Sequence, residues 1–250
     1  MEEIKKCEIC GEITERTIEI FGAKTKVRCM CACERKKREA IEKRLKQDEI
    51  DRHRRICFSQ SNMKTWTFEN DDRQNEKLSD AMKNYADNFN DFKQKGKGLL
   101  LYGTVGTGKT YLSACIANQL IDEGKRVLMT NFATLTNKLA GMFEGKQEYI
   151  DNLNTYTLLV IDDLGAERKS DYMQEMVFNI IDSRYRSGLP MIITTNLNFE
   201  QLTSPEEITY SRIYDRILER CIPIKVEGTS RRRKSLKSSL KEYYFLLGLN

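Results

Sequence analysis

Gly98-Leu-Leu-Leu-Tyr-Gly-Thr-Val-Gly-Thr-Gly-Lys-Thr-Tyr-Leu112 is the stretch whose reading decides the fold. Within it, Gly103 to Thr110 fills the pattern G-x-x-x-x-G-K-[ST] at every required place. The apolar run Leu99 to Tyr102 predicts a buried strand entering the loop, and Leu112, Cys115, Ile116, Gln119 and Leu120 predict a helix leaving it. The residue types follow from the chemistry of phosphate. Glycines at 103, 106 and 108 let the backbone turn its N–H groups inward, and the helix directs its positive end at the same anion. Lys109 is placed to reach the β- and γ-phosphates and Thr110 to set a hydroxyl on Mg²⁺. Gly103, Thr104, Val105, Gly106, Thr107, Gly108, Lys109, Thr110 and Tyr111 are thus the expected nucleoside triphosphate contacts.

Downstream, Arg126–Thr130 reads as a strand, Phe132 to Phe143 as a helix, and Tyr156 to Gly165 as a buried strand ending in Asp162-Asp163. Carboxylates at the end of a buried apolar strand are costly without a cation. Asp162 is therefore expected to hold Mg²⁺ through water or through Thr110, and Asp163 to orient the attacking water. Asp171 to Arg186 reads as a helix closed by Ser187-Gly188. Pro190 to Asn196 is the next buried strand, with the Asn196 amide expected between the carboxylates and the γ-phosphate. Glu206 to Cys221 reads as a helix and Ile222 to Val226 as a last strand. Arg216 on that helix is placed to reach a neighbouring copy's phosphates rather than its own. One of Arg231, Arg232 and Arg233 is expected at the γ-phosphate.

Upstream, Leu78, Met82, Tyr85, Phe89 and Phe92 step by 4, 3, 4 and 3, which predicts one amphipathic helix from Asn75. Ile56 to Asn70 is expected to cover the nucleotide base, with ordinary packing for Trp66 itself. Glu34 to Arg55 holds ten Lys/Arg and six Asp/Glu with a thin apolar stripe, Ile41 and Leu45, and reads as an exposed helical connector. The only histidine, His53, is expected on its surface.

Five of the eight cysteines, Cys7, Cys10, Cys29, Cys31 and Cys33, fall within the first 33 residues. Cys7-Glu-Ile-Cys10-Gly is a C-x-x-C knuckle, and alternating residues on either side of Gly22 predict a short hairpin before the second group. Thiolates at this spacing converge on one tetrahedral Zn²⁺, which would supply folding free energy to a segment with too little core of its own. Five thiols compete for four places. Cys7, Cys10, Cys31 and Cys33 are preferred because Cys31-x-Cys33 abuts a helix start, and Cys29 remains the alternative. The expected organisation is a zinc module over 1–34, a charged helical linker over 35–60 and an ATPase domain over 61–250.

A 250-residue chain that is 40% hydrophobic and 32% charged can bury one large α/β core. No apolar run approaches the roughly 20 residues that a membrane helix needs. The first residues, Met-Glu-Glu-Ile-Lys-Lys, lack a signal-peptide core, and the expectation is a cytoplasmic protein without membrane contact. Net charge is a mild +5, with basic clusters in 34–55 and 231–234 that suit either phosphate backbones or solvated surface.

The combination of Gly103–Thr110, Leu159-Val-Ile-Asp-Asp-Leu-Gly165, Ile181-Asp-Ser-Arg-Tyr185, Ile193-Thr-Thr-Asn196 and Ser211-Arg-Ile-Tyr-Asp-Arg216 resembles the AAA+ helicase loaders of the DnaC/DnaI group and the related IstB transposition helpers. The resemblance covers about Trp66 to Arg232. It implies an α/β AAA+ fold, a central parallel sheet flanked by helices, here preceded by the cysteine module and basic linker. It also implies ATP and Mg²⁺ as cofactors, Lys109, Thr110, Asp162 and Asp163 as Walker residues, and Asn196 as sensor 1. Arg216 matches the arginine finger and Arg232 sensor 2. The cysteine module is similar to the zinc-binding helicase-docking domain of Gram-positive and phage loaders. A replicative DnaB-type helicase hexamer, single-stranded DNA and self-association through the ATPase interface are the implied partners. Many AAA+ proteins carry Glu where Asp163 stands, and the shorter side chain suits a slow, partner-modulated ATPase. The competing expectations are an IstB-like helper of a DNA transposase and a zinc adaptor that binds nucleotide with little hydrolysis.

Overall fold

The computed structural model describes residues 5–58, 61–166, 170–205, 207–231, 240 and 243–249, in two compact units, Met1–Arg52 and His53–Asn250. In the first, strands β1 (Glu15–Ile20) and β2 (Ala23–Arg28) pair antiparallel, with Ile20 opposite Ala23. The two-residue connection uses Phe21 and Gly22, both left-handed at φ 52° and 78°, the twist that a tight hairpin favours. Helix α1 (Ala32–Cys57) follows, and its residues 35–49 are exposed throughout, as its charge density leads one to expect. His53 is half-buried rather than on the surface.

The second unit carries α2 (Glu76–Asp87), α3 (Phe89–Gln94), β3 (Gly98–Tyr102), α4 (Lys109–Asp122), β4 (Val127–Asn131), α5 (Phe132–Ala140), α6 (Lys146–Leu153) and β5 (Leu158–Leu164). It continues with α7 (Asp171–Ser187), β6 (Met191–Thr195), α8 (Phe199–Thr203), α9 (Ile208–Arg220) and β7 (Cys221–Lys225). The five strands β3 to β7 form one parallel sheet in the order β4-β5-β6-β3-β7. Helices flank it, so its central strands are buried on both faces and read as apolar runs rather than alternating ones. In space β6 lies between β3 and β5, which sets the ends of the phosphate-loop strand, the acidic strand and the Asn196 strand side by side.

The predicted single helix from Asn75 is two. It breaks at Asn88, whose side-chain amide and backbone N–H both donate to the Asn84 carbonyl, at 2.9 and 3.0 Å, in competition with further helical turns. The apolar stripe runs on across the break: Met82, Tyr85 and Phe89 are buried, and Phe92 lies 4.7 Å from Tyr85 ring to ring. α5 stops at Ala140, short of the predicted end, and leaves Phe143 fully exposed. α6 and α8 carry too few residues to show a period and were not expected. Arg184 on α7 is 1% exposed and donates to the carbonyls of Tyr156 and Pro190, just ahead of β5 and β6.

Candidate nucleotide site and metal centre

The phosphate loop leaves β3 at Gly103, whose φ is 141° and whose missing Cβ would stand 2.5 Å from the Val226 carbonyl oxygen. No side chain fits there. Lys109 opens α4 and is 5% exposed. Its ammonium donates at 2.8 Å to each of three acceptors: the carbonyls of Gly103 and Thr104 and the Asn196 Oδ1. Thr110 donates to both Asp162 oxygens, at 3.0 and 3.1 Å. The Thr110–Asp162 pairing expected from sequence thus forms at the end of β5, while Asn196 at the end of β6 meets Lys109, a contact not expected from sequence.

A cleft of about 390 Å³ opens over this loop. Val105, Gly106, Gly108, Lys109, Thr110 and Tyr111 line it, with Asp163 and Asn196. Gly103, Thr104 and Thr107 support the loop from behind, the Thr107 hydroxyl donating to the Thr104 carbonyl at 2.9 Å. Trp66 also lines the cleft, its ring 5.6 Å from that of Tyr111, where ordinary packing was expected. The Trp66 segment is held by Asn118 on α4, whose side-chain amide donates to the Met63 and Trp66 carbonyls at 2.8 and 2.9 Å.

Asp162 is half-buried, and burial pushes its carboxyl above the usual carboxylate range. The Thr194 hydroxyl, 2.5 Å from Oδ1, works against that rise. Asp163 has φ 57°, rare for a residue with a Cβ, and its N–H donates to Thr194 Oγ1 at 3.0 Å. Neither Thr194 nor Asp71 was singled out in the sequence. Thr194 lies inside the Ile193-Thr-Thr-Asn196 stretch without a role of its own there, and Asp71 lies in none of the stretches read above.

Arg232 and Arg233 lie outside the described residues, and it is Arg231 that reaches the cleft. Its N–H donates to the Gly106 carbonyl at 2.9 Å, its guanidinium pairs with Asp71 at 3.4 Å and Asp72 at 3.0 Å, and it lies 5.8 Å over the Tyr111 ring. Asp71, 1% exposed at its side chain, also accepts from the Ser79 hydroxyl. Arg216 does not line the cleft. It pairs with Asp182 of α7 at 2.9 Å and covers the Phe178 ring at 4.7 Å. A glycine-rich loop at a helix start, a lysine, and hard oxygen donors on Thr110 and Asp162 are the set that a nucleotide with Mg²⁺ requires.

In the first unit the sulfur atoms of Cys7, Cys10, Cys31 and Cys33 all lie within 4.8 Å of one another, Cys7 to Cys33 at 3.4 Å and Cys31 to Cys33 at 3.1 Å. Four thiolates around one Zn²⁺ at about 2.3 Å each would stand roughly 3.8 Å apart, so the cluster fits zinc with little movement. The Cys29 thiol is not in it and faces the Val27 carbonyl at 3.8 Å. The N–H groups of Cys10 and Ile9 pull Cys7 down to about 6, and that of Glu12 lowers Cys10, so half the cluster favours the thiolate a metal needs. Cys33 is pushed up, chiefly by its contact with Cys31. Around the cluster, the Glu12 carboxylate takes the Ala32 N–H at 2.6 Å and Arg35 at 3.1 Å, tying the knuckle to the start of α1.

This fold and loop define an AAA+ ATP-binding protein. Residues 30–239 match the family described as IstB-like ATP binding protein, and the chain belongs to it. Among its relatives is the replicative helicase loader DnaI of Bacillus subtilis (strain 168), 28% identical over 167 residues, 62% of this chain and 52% of DnaI. The replicative helicase loader DnaC of Escherichia coli (strain K12) is 32% identical over 119 residues, 46% of this chain and 47% of DnaC. The chain spans about half the length of these relatives. A crystal structure of DnaI superposes with a TM-score of 0.58 at 28% identity, covering 72% of this chain and 100% of that one. The DnaC helicase loader superposes with a TM-score of 0.55 at 23% identity over 67% of this chain and 100% of that one, a likeness of fold. No helix among the described residues is long and apolar enough to cross a membrane.

Proposed function

We propose that this protein is an ATP-dependent loader that delivers a replicative DnaB-type helicase hexamer onto single-stranded DNA. The observation that carries the reading is the joining of two parts in one chain: a nucleotide site built on the DnaI-like fold and a four-thiol cluster at the head of a long basic helix. In this reading Cys7, Cys10, Cys31 and Cys33 hold Zn²⁺ and shape a module, residues 1–34, that grips the helicase. The charged linker, residues 35–60, joins it to the ATPase domain. Lys109 and the loop N–H groups bind the phosphates, Thr110 and Asp162 hold Mg²⁺, and Asp163 and Asn196 position water. Bound Mg²⁺ would neutralise charge on the transferring phosphoryl group. Arg216 acts on a neighbouring copy's nucleotide and so makes assembly and hydrolysis depend on each other. The other arginine role, at the γ-phosphate of the same chain, is assigned in this reading to Arg231, which lines the cleft.

The test is capture of the host replicative helicase by the full chain loaded with zinc. Capture that is lost in Cys10→Ser, with helicase delivery that is lost in Lys109→Ala, supports the loader. Delivery that survives Lys109→Ala overturns it. The family description also keeps a second reading open, an ATPase helper of a DNA transposase. Duplex-DNA binding in ATP without helicase capture would favour that one.

A further inference from the structure

β5 and β6 run in register to the pair Ile161 and Ile193, and resume at Leu164 and Thr195. Three steps along β5 therefore match two along β6. The surplus residue makes a bulge in which Asp162 and Asp163 together face one residue, Thr194. In a regular strand successive side chains leave on opposite faces, and a bulge is the device that re-aims one of them. Here it turns Asp163 through φ 57° and takes its N–H out of the strand ladder.

Thr194 supplies what the bulge removes. Its Oγ1 accepts the Asp163 N–H at 3.0 Å, and its own proton goes to Asp162 Oδ1 at 2.5 Å. A threonine hydroxyl has one proton to give and lone pairs to receive, and this one uses both functions on two successive acidic residues. Thr194 is 0% exposed, so no solvent can stand in for it. The neighbouring Thr195 closes the far side of the bulge, donating to the Leu164 carbonyl at 2.7 Å and accepting the Leu197 N–H at 3.1 Å. The Asp162 carboxylate is then held from two directions, by Thr194 on β6 and by Thr110 on the phosphate loop.

We propose that Thr194 is a positioning residue of the nucleotide site: its one hydroxyl orients the Asp162 carboxylate toward Thr110 and the metal while fixing the peptide that carries Asp163. The inference rests on the reading of Asp162 as a Mg²⁺ partner. Outer hydrogen-bond partners of metal-holding carboxylates typically change metal affinity by about 10–100-fold when removed. Thr194→Val keeps the shape and loses both bonds. Thr194→Ser keeps the hydroxyl, and Thr194→Cys puts a weak hydrogen-bonding group in the place of that hydroxyl.

The experiment is calorimetric titration of the full chain with a non-hydrolysable ATP analogue, in Mg²⁺ and in EDTA, reading the ratio of the two dissociation constants. Thr194→Val is expected to shrink the Mg²⁺-linked tightening by about tenfold or more, with EDTA affinity little changed and Thr194→Ser close to the parent. The Ser and Cys pair decides the matter if the Val variant does not fold: Ser retaining the tightening and Cys losing it supports the role. A Val or Cys variant with the parental ratio, or a Ser variant as damaged as Val, overturns it. A parent chain with no Mg²⁺-linked tightening refutes the metal reading of Asp162 itself and the inference with it.

Discussion

Arg184 is the best place to test how the sheet that carries the site is held together. Its guanidinium sits 1% exposed with no carboxylate paired to it among the described residues, donating to the Pro190 carbonyl at 2.7 Å and the Tyr156 carbonyl at 3.0 Å, and at longer range to Thr157 and Leu153. These carbonyls precede β5 and β6, the strands that end in Asp162-Asp163 and Asn196. Arg184→Met keeps the aliphatic stem and removes the donors. The two short charge-assisted bonds are worth about 1.5–3 kcal/mol each. Against them stands the cost of burying the charge, visible in the way burial drags Arg184 down to about 10. The net loss is expected to be roughly 2–4 kcal/mol, or about 5–15 °C in melting temperature for a unit of this size. Thermal unfolding by circular dichroism, with urea titration alongside, measures it. Arg184→Lys should recover only part, because one ammonium cannot span carbonyls that a planar fork reaches from two sides. Nucleotide affinity of the folded variant should stay near the parent's. A Met variant within about 1 kcal/mol of the parent would mean that water or local shifts satisfy the carbonyls, and that Arg184 does not hold the two strand starts together.

Substituting Cys31 with Ser should drop bound zinc well below one per chain and lower the helix signal, whereas Cys29→Ser should leave both intact; metal analysis of the purified chains tells them apart. Because burial raises the folded Asp162 carboxyl above its unfolded value, the fold favours its neutral form: that contribution to the ligand-free chain's stability is present below the unfolded value and fades as pH rises through the folded one. Metal holding needs the ionised form, so Mg²⁺-linked nucleotide affinity should weaken from neutral pH toward about pH 5 more steeply than affinity in EDTA. Trp66 is the sole tryptophan and lines the cleft, so its fluorescence should change on nucleotide addition. Lys109→Ala should abolish that change, and an unchanged response would remove Lys109 from the phosphate site. Arg216→Ala should leave the affinity of the separate chain for nucleotide unaltered and cut any assembly-dependent hydrolysis by about 10³-fold or more; equal rates at low and high protein concentration in the parent would refute a role in a neighbour's site.

What could be read from the sequence was what physics makes local. The phosphate loop, the acidic strand and the Asn196 strand are marked by apolar runs that end in polar residues, because a parallel sheet buried on both faces leaves only its strand ends for chemistry. The hairpin at Gly22 was legible from the alternation on either side of a glycine, although its turn also holds Phe21 left-handed, which that residue type does not announce. The helix break at Asn88 was not, because the apolar stripe continues across it and only the Asn88 side chain interrupts it. The β5–β6 bulge left no trace either: register is a relation between strands, and nothing in Asp162-Asp163 announces that they share one partner. The places of Trp66 and Arg231 in the cleft are harder to read from sequence. Both lie in segments without a period, and their places in the cleft depend on Asn118, Asp71 and Asp72, distant in sequence. Of the five cysteines, the four preferred from sequence are the four that cluster, and the hairpin's path turns Cys29 toward its own strand.

Each charged group proposed to meet phosphate already has protein partners. Lys109 is satisfied by two carbonyls and Asn196, Arg231 by Asp71 and Asp72, and Arg216 by Asp182. A half-buried cation without a partner would be costly, so these pairings stabilise the ligand-free fold. They also mean that phosphate must win each cation in competition. For Lys109 and Arg231 the competing groups sit on different elements: Asn196 ends β6, and Asp71 leads into α2, where Ser79 holds it. Phosphate arriving in the cleft would therefore loosen the contacts of β6 and of the segment before α2 together, without any single element having to span the site. Arg216 obeys the same rule with a different competitor. Asp182 is also paired with Arg186 at 2.9 Å, so the carboxylate that Arg216 would leave keeps a cation of its own. That lowers the cost of freeing Arg216 for the neighbouring nucleotide proposed as its target, because Asp182 is not left as an uncompensated buried charge.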